Sequence, residues 1–189
     1  MLPWEHLLFG YVVLSGVSRS LRGRPPNDAE AVVVAVATQA PDLVDKPLSW
    51  TLGVVTTGYG PAHSVFVGVP AVVLLAGAAR VRNKAVSVAV LVGYASHLVG
   101  DVLRAREFVF GVGRLLWPLV SWPPYEHDLS FVERVGRYVG IFLVRMTSPE
   151  NVALVLGYAS IFALGGILWM LDGTPGVRWV RRLADRASS

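Results

Sequence analysis

Apolar stretches separated by short polar turns run through most of this chain. Runs long enough for a membrane helix cover about residues 4–21, 62–79, 85–103 and 150–171, and a shorter run covers 29–40. A bilayer core needs about 20 apolar residues per helix. The pattern therefore predicts an all-α, polytopic membrane helix bundle with about five membrane helices. The 29–40 run is marginal for a span and also fits a helix embedded in the bundle.

Polar and proline-rich segments predict where these helices begin and end. Asn27 and Glu30 have capping-box spacing, so a helix begins there. The prolines in 41–47 predict a bend, and the glycines in 48–61 predict a loop. Ser148 followed by Pro149 supplies an N-cap for the last apolar helix.

A different pattern covers residues 129–147, where arginines alternate with apolar side chains. This pattern predicts an amphipathic helix that lies in the membrane interface. We interpret residues 1–189 as one membrane domain. Its last part, 124–189, would hold the interfacial helix, the last membrane helix and a short basic cytoplasmic tail.

Composition agrees with a membrane protein. Hydrophobic residues make up 53% of the chain, only 16% are charged, and mean hydropathy is +0.53. The formal charge of +4 would favour a nucleic-acid partner in a soluble domain, but here we assign the basic residues to membrane flanks and expect no nucleic acid. No basic residue precedes the first apolar run, so we interpret it as a mature helix rather than a signal peptide.

The basic residues predict an orientation in the cell (inner) membrane. Ten of the 17 lie in the short segments around 19–24, 80–84 and 178–186. The positive-inside rule places these segments in the cytoplasm. The N-terminus is then outside and the C-terminus inside.

With this orientation, histidines and aspartates gather near the outer face. His97 and Asp101 are four residues apart on one helical face. Ionisable groups at membrane depth usually face a bundle interior or a wet cavity. Three further residues fall at the same level from three other helices: His6, Asp42 and His63. The fourth histidine, His127, lies in a polar loop, and we assign it no role.

Imidazole and carboxylate donors suit Zn²⁺, Mn²⁺ or Fe²⁺. Cysteine is absent, so thiolate sites are excluded. Asp42, His63, His97 and Asp101 would hold one divalent ion, and His6 would either support these ligands or serve a second ion. Three alternatives remain open: a His97–Asp101 hydrogen bond alone, ordinary capping and turn roles for the others, and a metal or proton transport site.

The segments that carry these residues resemble a known family. They read EHLLFG, APDLVDKP, GPAHS, GYASHLVGDVL and GVGRLLWP, within residues 1–123. This pattern is similar to the LexA-regulated, inner-membrane-associated metal-dependent hydrolases. It has a more distant likeness to zinc-dependent phospholipase C.

The resemblance implies that His6, Asp42, His63, His97 and Asp101 form a metal site that hydrolyses phosphoester bonds of lipid-like substrates. We expect Asp45 to act as the general base. The chain departs from the family pattern at two positions, where Lys46 and Gly58 stand in place of histidines.

Overall fold

The computed structural model describes residues 1–105, 107–125 and 129–187, and in these residues it is all-helical without a strand. This confirms the predicted all-α class. A short 3-10 turn, Pro149–Asn151, precedes α8. The helices are α1 (Pro3–Arg22), α2 (Asp28–Ala37), α3 (Ala40–Trp50), α4 (Gly68–Arg82), α5 (Lys84–Arg104), α6 (Phe108–Gly113), α7 (Phe131–Thr147), α8 (Val152–Leu171) and α9 (Val177–Ala187).

Three helices, α1, α2 and α5, form the centre of the molecule. Their buried apolar contact consists of Tyr11, Leu14, Ala31, Val34 and Ala89. Small residues allow the close approach. A Cβ on Gly10 would lie 2.3 Å from Thr38 Cγ2, so a larger residue does not fit between α1 and α2 without a shift.

Local signals set several helix ends, and the predicted capping box at Asn27 is confirmed, whereas the predicted cap at Ser148 does not form because its hydroxyl donates to the Val144 carbonyl. The Asn27 side chain accepts from the Glu30 amide, and the Glu30 carboxylate accepts from the Asn27 amide at 2.7 Å. α1 ends at Gly23, which has the left-handed φ of 64° that glycine adopts without a Cβ penalty. Ser130 and Glu133 form a second capping box at the start of α7. The predicted amphipathic segment is thus confirmed as a helix.

Two boundaries differ from the predictions. Residues 41–47 lie in α3 rather than in a turn: Pro41 occupies the first helical turn, where a missing amide hydrogen costs nothing, and Pro47 is accommodated within the helix. The third apolar helix begins at Gly68 rather than at 62, because the amides of Ala62 and His63 donate to the Asp45 carboxylate instead of entering a helix. The short helices α6 and α9 were not predicted.

The number of candidate membrane spans is also smaller than predicted. Two helical segments of the described residues are long and apolar enough to cross a membrane, Lys84–Arg104 and Pro149–Leu171, where about five were expected. α2 has 10 residues and α4 has 15, both short of the roughly 20 that a span needs. α1 has 20 residues, but its ends carry Glu5, Arg19 and Arg22.

Candidate metal centre

The residues singled out from the sequence come together at one end of the α1–α2–α5 bundle. His6 lies in the first turns of α1, Asp42 and Asp45 in α3, His63 in the turn before α4, and His97 and Asp101 in α5. All six are buried, with at most 9% of any residue exposed. His127 lies outside the described residues.

Two histidines point their Nε2 atoms at each other. His63 Nδ1 lies 2.7 Å from Asp45 Oδ2, and His97 Nδ1 lies 2.6 Å from the carbonyl oxygen of Thr38. Because both partners only accept hydrogen bonds, each Nδ1 carries the proton. The two Nε2 atoms then present lone pairs to each other across 3.0 Å. Such a pair of acceptors requires a proton or a cation between them.

Two carboxylate oxygens face the same place. Asp42 Oδ1 lies 3.7 Å from His63 Nε2 and 3.9 Å from His97 Nε2. Asp101 Oδ2 lies 3.7 Å from each of the same nitrogens. In a tetrahedral site with ligand distances of 2.0–2.1 Å, neighbouring donor atoms are about 3.3 Å apart. The observed separations between the histidine nitrogens and each aspartate oxygen lie on both sides of this value, so each aspartate together with the two histidines has a spacing near that of metal ligands.

The other oxygen of each carboxylate faces away from this point and contacts an ammonium group. Asp42 Oδ2 accepts from Lys46 Nζ, one helical turn further along α3. Asp101 Oδ1 accepts from the amino nitrogen of Met1 at 2.6 Å. Each aspartate therefore offers one oxygen to the centre.

His6 is the fifth residue of the set and is buried without a hydrogen bond from either ring nitrogen to the described residues. Its ring stacks on His97, with centroids 3.8 Å apart and planes 15° apart. Nε2 lies 3.2 Å from Asp101 Oδ1, a close approach without hydrogen-bond alignment. A buried polar ring without a partner is costly, which suggests a role that needs free donor atoms.

Asp45 stands on the far side of His63 from the centre. Its oxygens accept from the amides of Gly60, Ala62 and His63 and contact His63 Nδ1, at 2.7 to 3.0 Å. These bonds use both oxygens and fix the His63 ring. A carboxylate behind a histidine is the usual support of a metal-binding imidazole. This geometry favours a positioning role over the general-base role expected from the sequence.

Three residues near the centre were not identified from the sequence. The Thr38 carbonyl orients His97. Every residue has a main-chain carbonyl, so the sequence does not indicate which one takes this role. The Tyr59 ring packs edge-on against His63, with 5.1 Å between centroids, and the Arg114 guanidinium lies 4.5 Å from the Tyr59 centroid. Burial raises the pKa of Tyr59, so its phenol stays protonated beside the centre.

Charge around His63 favours a cation. Burial alone would lower the pKa of His63, but the carboxylates of Asp101, Asp45 and Asp42 outweigh burial and raise it. The same carboxylates would attract a metal ion. A shared proton and a divalent ion thus compete for one position.

The fold and this cluster define a class: a helical membrane protein with a buried histidine–carboxylate centre at one end of its bundle. Residues 1–174 match the YdjM inner membrane protein family, and the chain belongs to that family. The match extends past residues 1–123, where the sequence resemblance was seen. It confirms the prediction of an inner membrane protein, and the family's name states no reaction. No curated protein and no solved structure matches the chain.

Proposed function

We propose that this protein is a metal-dependent hydrolase of the inner membrane. Asp42, His63, His97 and Asp101 would hold one divalent ion, Zn²⁺ or alternatively Mn²⁺ or Fe²⁺. The observation that carries the proposal is the pair of imidazole lone pairs facing each other at 3.0 Å, with one oxygen of each aspartate turned to the same point. Buried unpaired acceptors in this arrangement are explained by a bound cation.

The ion would supply Lewis-acid activation of water and of a phosphoryl oxygen. The chain's own residues would orient the histidine ligands, transfer protons and bind the substrate. Asp45 would keep the proton of His63 on Nδ1, and the Thr38 carbonyl would do the same for His97. His6 Nε2, 3.2 Å from Asp101 Oδ1, would accept or return a proton at the edge of the centre. The Arg114 side chain, over Tyr59, would face the negative charge of a phosphoester.

A groove near Asp101 supports a lipid-like substrate. The groove has a volume of about 230 Å³ and lies among the start of α1, the end of α5, α7 and α8. Ile141, Phe142 and Leu154 give it apolar walls, Arg145 adds positive charge, and Arg104 is paired with Glu5 at 3.6 Å. Met1 lines the groove and also contacts Asp101 through its amino group. An amphiphile with an anionic head would match these walls.

Transport of a metal or a proton is the alternative function. A pathway would have to continue from the centre along the α1–α2–α5 contact. Leu14, Val34 and Ala89 fill that contact, each with 0% exposure. This apolar layer favours a site closed on one side, as hydrolysis needs. Ion flux into proteoliposomes is the measurement that separates the two functions, and the hydrolase proposal predicts no flux.

Metal content and hydrolysis test the proposal together. Purified protein should carry a stoichiometric divalent metal, and His97→Ala should lower metal affinity at least about 100-fold, since one of the four donors and its stacked ring are lost. Ser87→Ala is the matched control, because Ser87 lies on the same helix and donates to Ala76 O away from the centre. Loaded protein should cleave a phospholipid faster than a water-soluble phosphoester. A folded protein that binds no metal would contradict the proposal.

A further inference from the structure

The centre has enough available histidine and aspartate donor atoms to bind one metal ion, because its candidate ligand groups share His97. The histidine and aspartate groups with metal-ligand spacing form two triads, His6–Asp42–His97 and His63–His97–Asp101, and both need His97. His97 Nδ1 is committed to the Thr38 carbonyl, so only Nε2 is available, and one lone pair binds one ion. A second ion would therefore have to bridge through an aspartate, and at Asp101 the second oxygen already accepts from the amino nitrogen of Met1 at 2.6 Å.

Lys46 blocks that route at Asp42. Its ammonium binds Asp42 Oδ2, the oxygen through which a bridging carboxylate would reach a neighbouring ion. The ammonium also lies 5.5 Å from the centroid of the Trp50 ring, which adds a cation–π contact. The Lys46 side chain thus contacts both Asp42 and Trp50 instead of extending into solvent.

We propose that Lys46 limits the centre to a single metal ion, with its ammonium as a built-in cation at the place of a second one. This inference rests on the proposed metal site. Lys46 would then influence how many metal ions bind, and how tightly, without contacting an ion. A side chain with one positive charge next to a divalent ion also weakens the binding of that ion through repulsion.

Gly58 offers a way to change the number of ions. A Cβ on Gly58 would lie 3.3 Å from Lys46 Cγ and 3.3 Å from Tyr125 Oη, so a side chain there lies next to the lysine. Gly58 is not among the glycines with positive φ, so a larger residue causes no backbone strain. A histidine at 46 would put a nitrogen donor in place of the ammonium that binds Asp42 Oδ2, and a histidine at 58 would add a second donor next to residue 46.

Equilibrium dialysis with Zn²⁺ followed by elemental analysis tests the inference. The unchanged protein should bind one equivalent, and the double variant Lys46→His/Gly58→His should bind two. Lys84→His is the control, because Lys84 is the other lysine of the chain and lies at the far end of α5. It should bind one equivalent. Two ions in the unchanged protein, or one in the double variant, would overturn the inference, whereas no bound ion in the unchanged protein would overturn the proposed function itself.

The single variant Lys46→Gln tests the charge directly. Removing a positive charge beside a divalent ion should tighten Zn²⁺ binding by about tenfold or more, measured as the dissociation constant by competition with a chelator. Unchanged or weaker binding would show that Lys46 only supports Asp42, and would overturn its role as a built-in cation.

Discussion

Both ends of the α1–α2–α5 bundle bury carboxylates. At one end every buried carboxylate is paired with hydrogen-bond donors, whereas at the other end buried acceptors face each other. The arginine end consists of Glu30 and Asp172 with the arginines that bind them. Glu30 accepts from Arg22 and Arg24 as well as from the Asn27 amide. Asp172 accepts from Tyr11, Ser15 and Arg19. Every buried carboxylate at this end has its donors.

The histidine end consists of His6, Asp42, His63, His97 and Asp101. On α1, His6 is separated by a rise of about 18 Å from Ser18, which accepts from Arg22 at the arginine end. At the histidine end two ring nitrogens face each other as acceptors, and a third histidine makes no hydrogen bond with the part of the chain that the structure describes. The comparison shows that buried charge is not itself the sign of a functional site. What distinguishes the histidine end is that its donors and acceptors do not balance without an added cation.

The largest expected effect is at the arginine end. Glu30→Ala removes a buried carboxylate from two partly exposed arginines, and the loss of its charge-assisted hydrogen bonds costs about 3 kcal/mol. We expect a large drop in the thermal unfolding midpoint in detergent, with the metal affinity of the remaining folded protein unchanged. Glu150→Ala, at an exposed carboxylate on the turn before α8, is the control and should change stability by less than about 0.5 kcal/mol. Equal effects of the two variants would show that the arginine end is not a structural lock.

A smaller effect is expected where the histidine end is supported from behind. Asp45→Asn removes the negative charge that holds the proton on His63 Nδ1, and loss of such a support lowers metal affinity about 10–100-fold. Thr38→Val is the matched variant at the other histidine, and it should leave affinity unchanged because His97 is held by a main-chain carbonyl. Chelator competition measures both. If the two variants behave alike, the carboxylate is not the support that the geometry indicates.

The smallest effect concerns the contact that joins the two ends. Gly10→Ala places a methyl group 2.3 Å from Thr38 Cγ2, and we expect a loss of roughly 1 kcal/mol because a side-chain methyl has to move. Gly16→Ala on the same helix meets nothing within 4 Å and should be neutral or slightly stabilising. Thermal unfolding separates them, and a destabilised Gly16→Ala with an unaffected Gly10→Ala would contradict the packing.

Much of this arrangement follows from residue patterns. Capping at Asn27, the helix over residues 131–147 and the four-residue spacing of His97 and Asp101 are local properties, and local properties can be read from sequence. The number of spans was overestimated because α2 and α4 are too short, and their ends depend on turns that tertiary hydrogen bonds create. The α4 start depends on Asp45, which binds amides 15 to 18 residues away.

The role of Asp45 could not be predicted for the same reason. The prolines in residues 41–47 suggested a bend, which would have left the direction of the Asp45 side chain open. Because the segment is helical, Asp42 and Asp45 are three residues apart on neighbouring positions of one face. One then faces His63 Nε2 and the other His63 Nδ1. Only the folded structure shows that Asp42 is the candidate metal ligand and that Asp45 supports His63.

The central claim is that the histidine end holds a divalent ion. Anomalous X-ray diffraction at the zinc edge, on crystals of protein loaded with Zn²⁺, tests it most directly. The account predicts one strong peak, about 2.0–2.2 Å from His63 Nε2, His97 Nε2, Asp42 Oδ1 and Asp101 Oδ2. A folded protein with no peak at this position, and with the two Nε2 atoms still 3.0 Å apart, would contradict it and identify a shared proton in place of the metal.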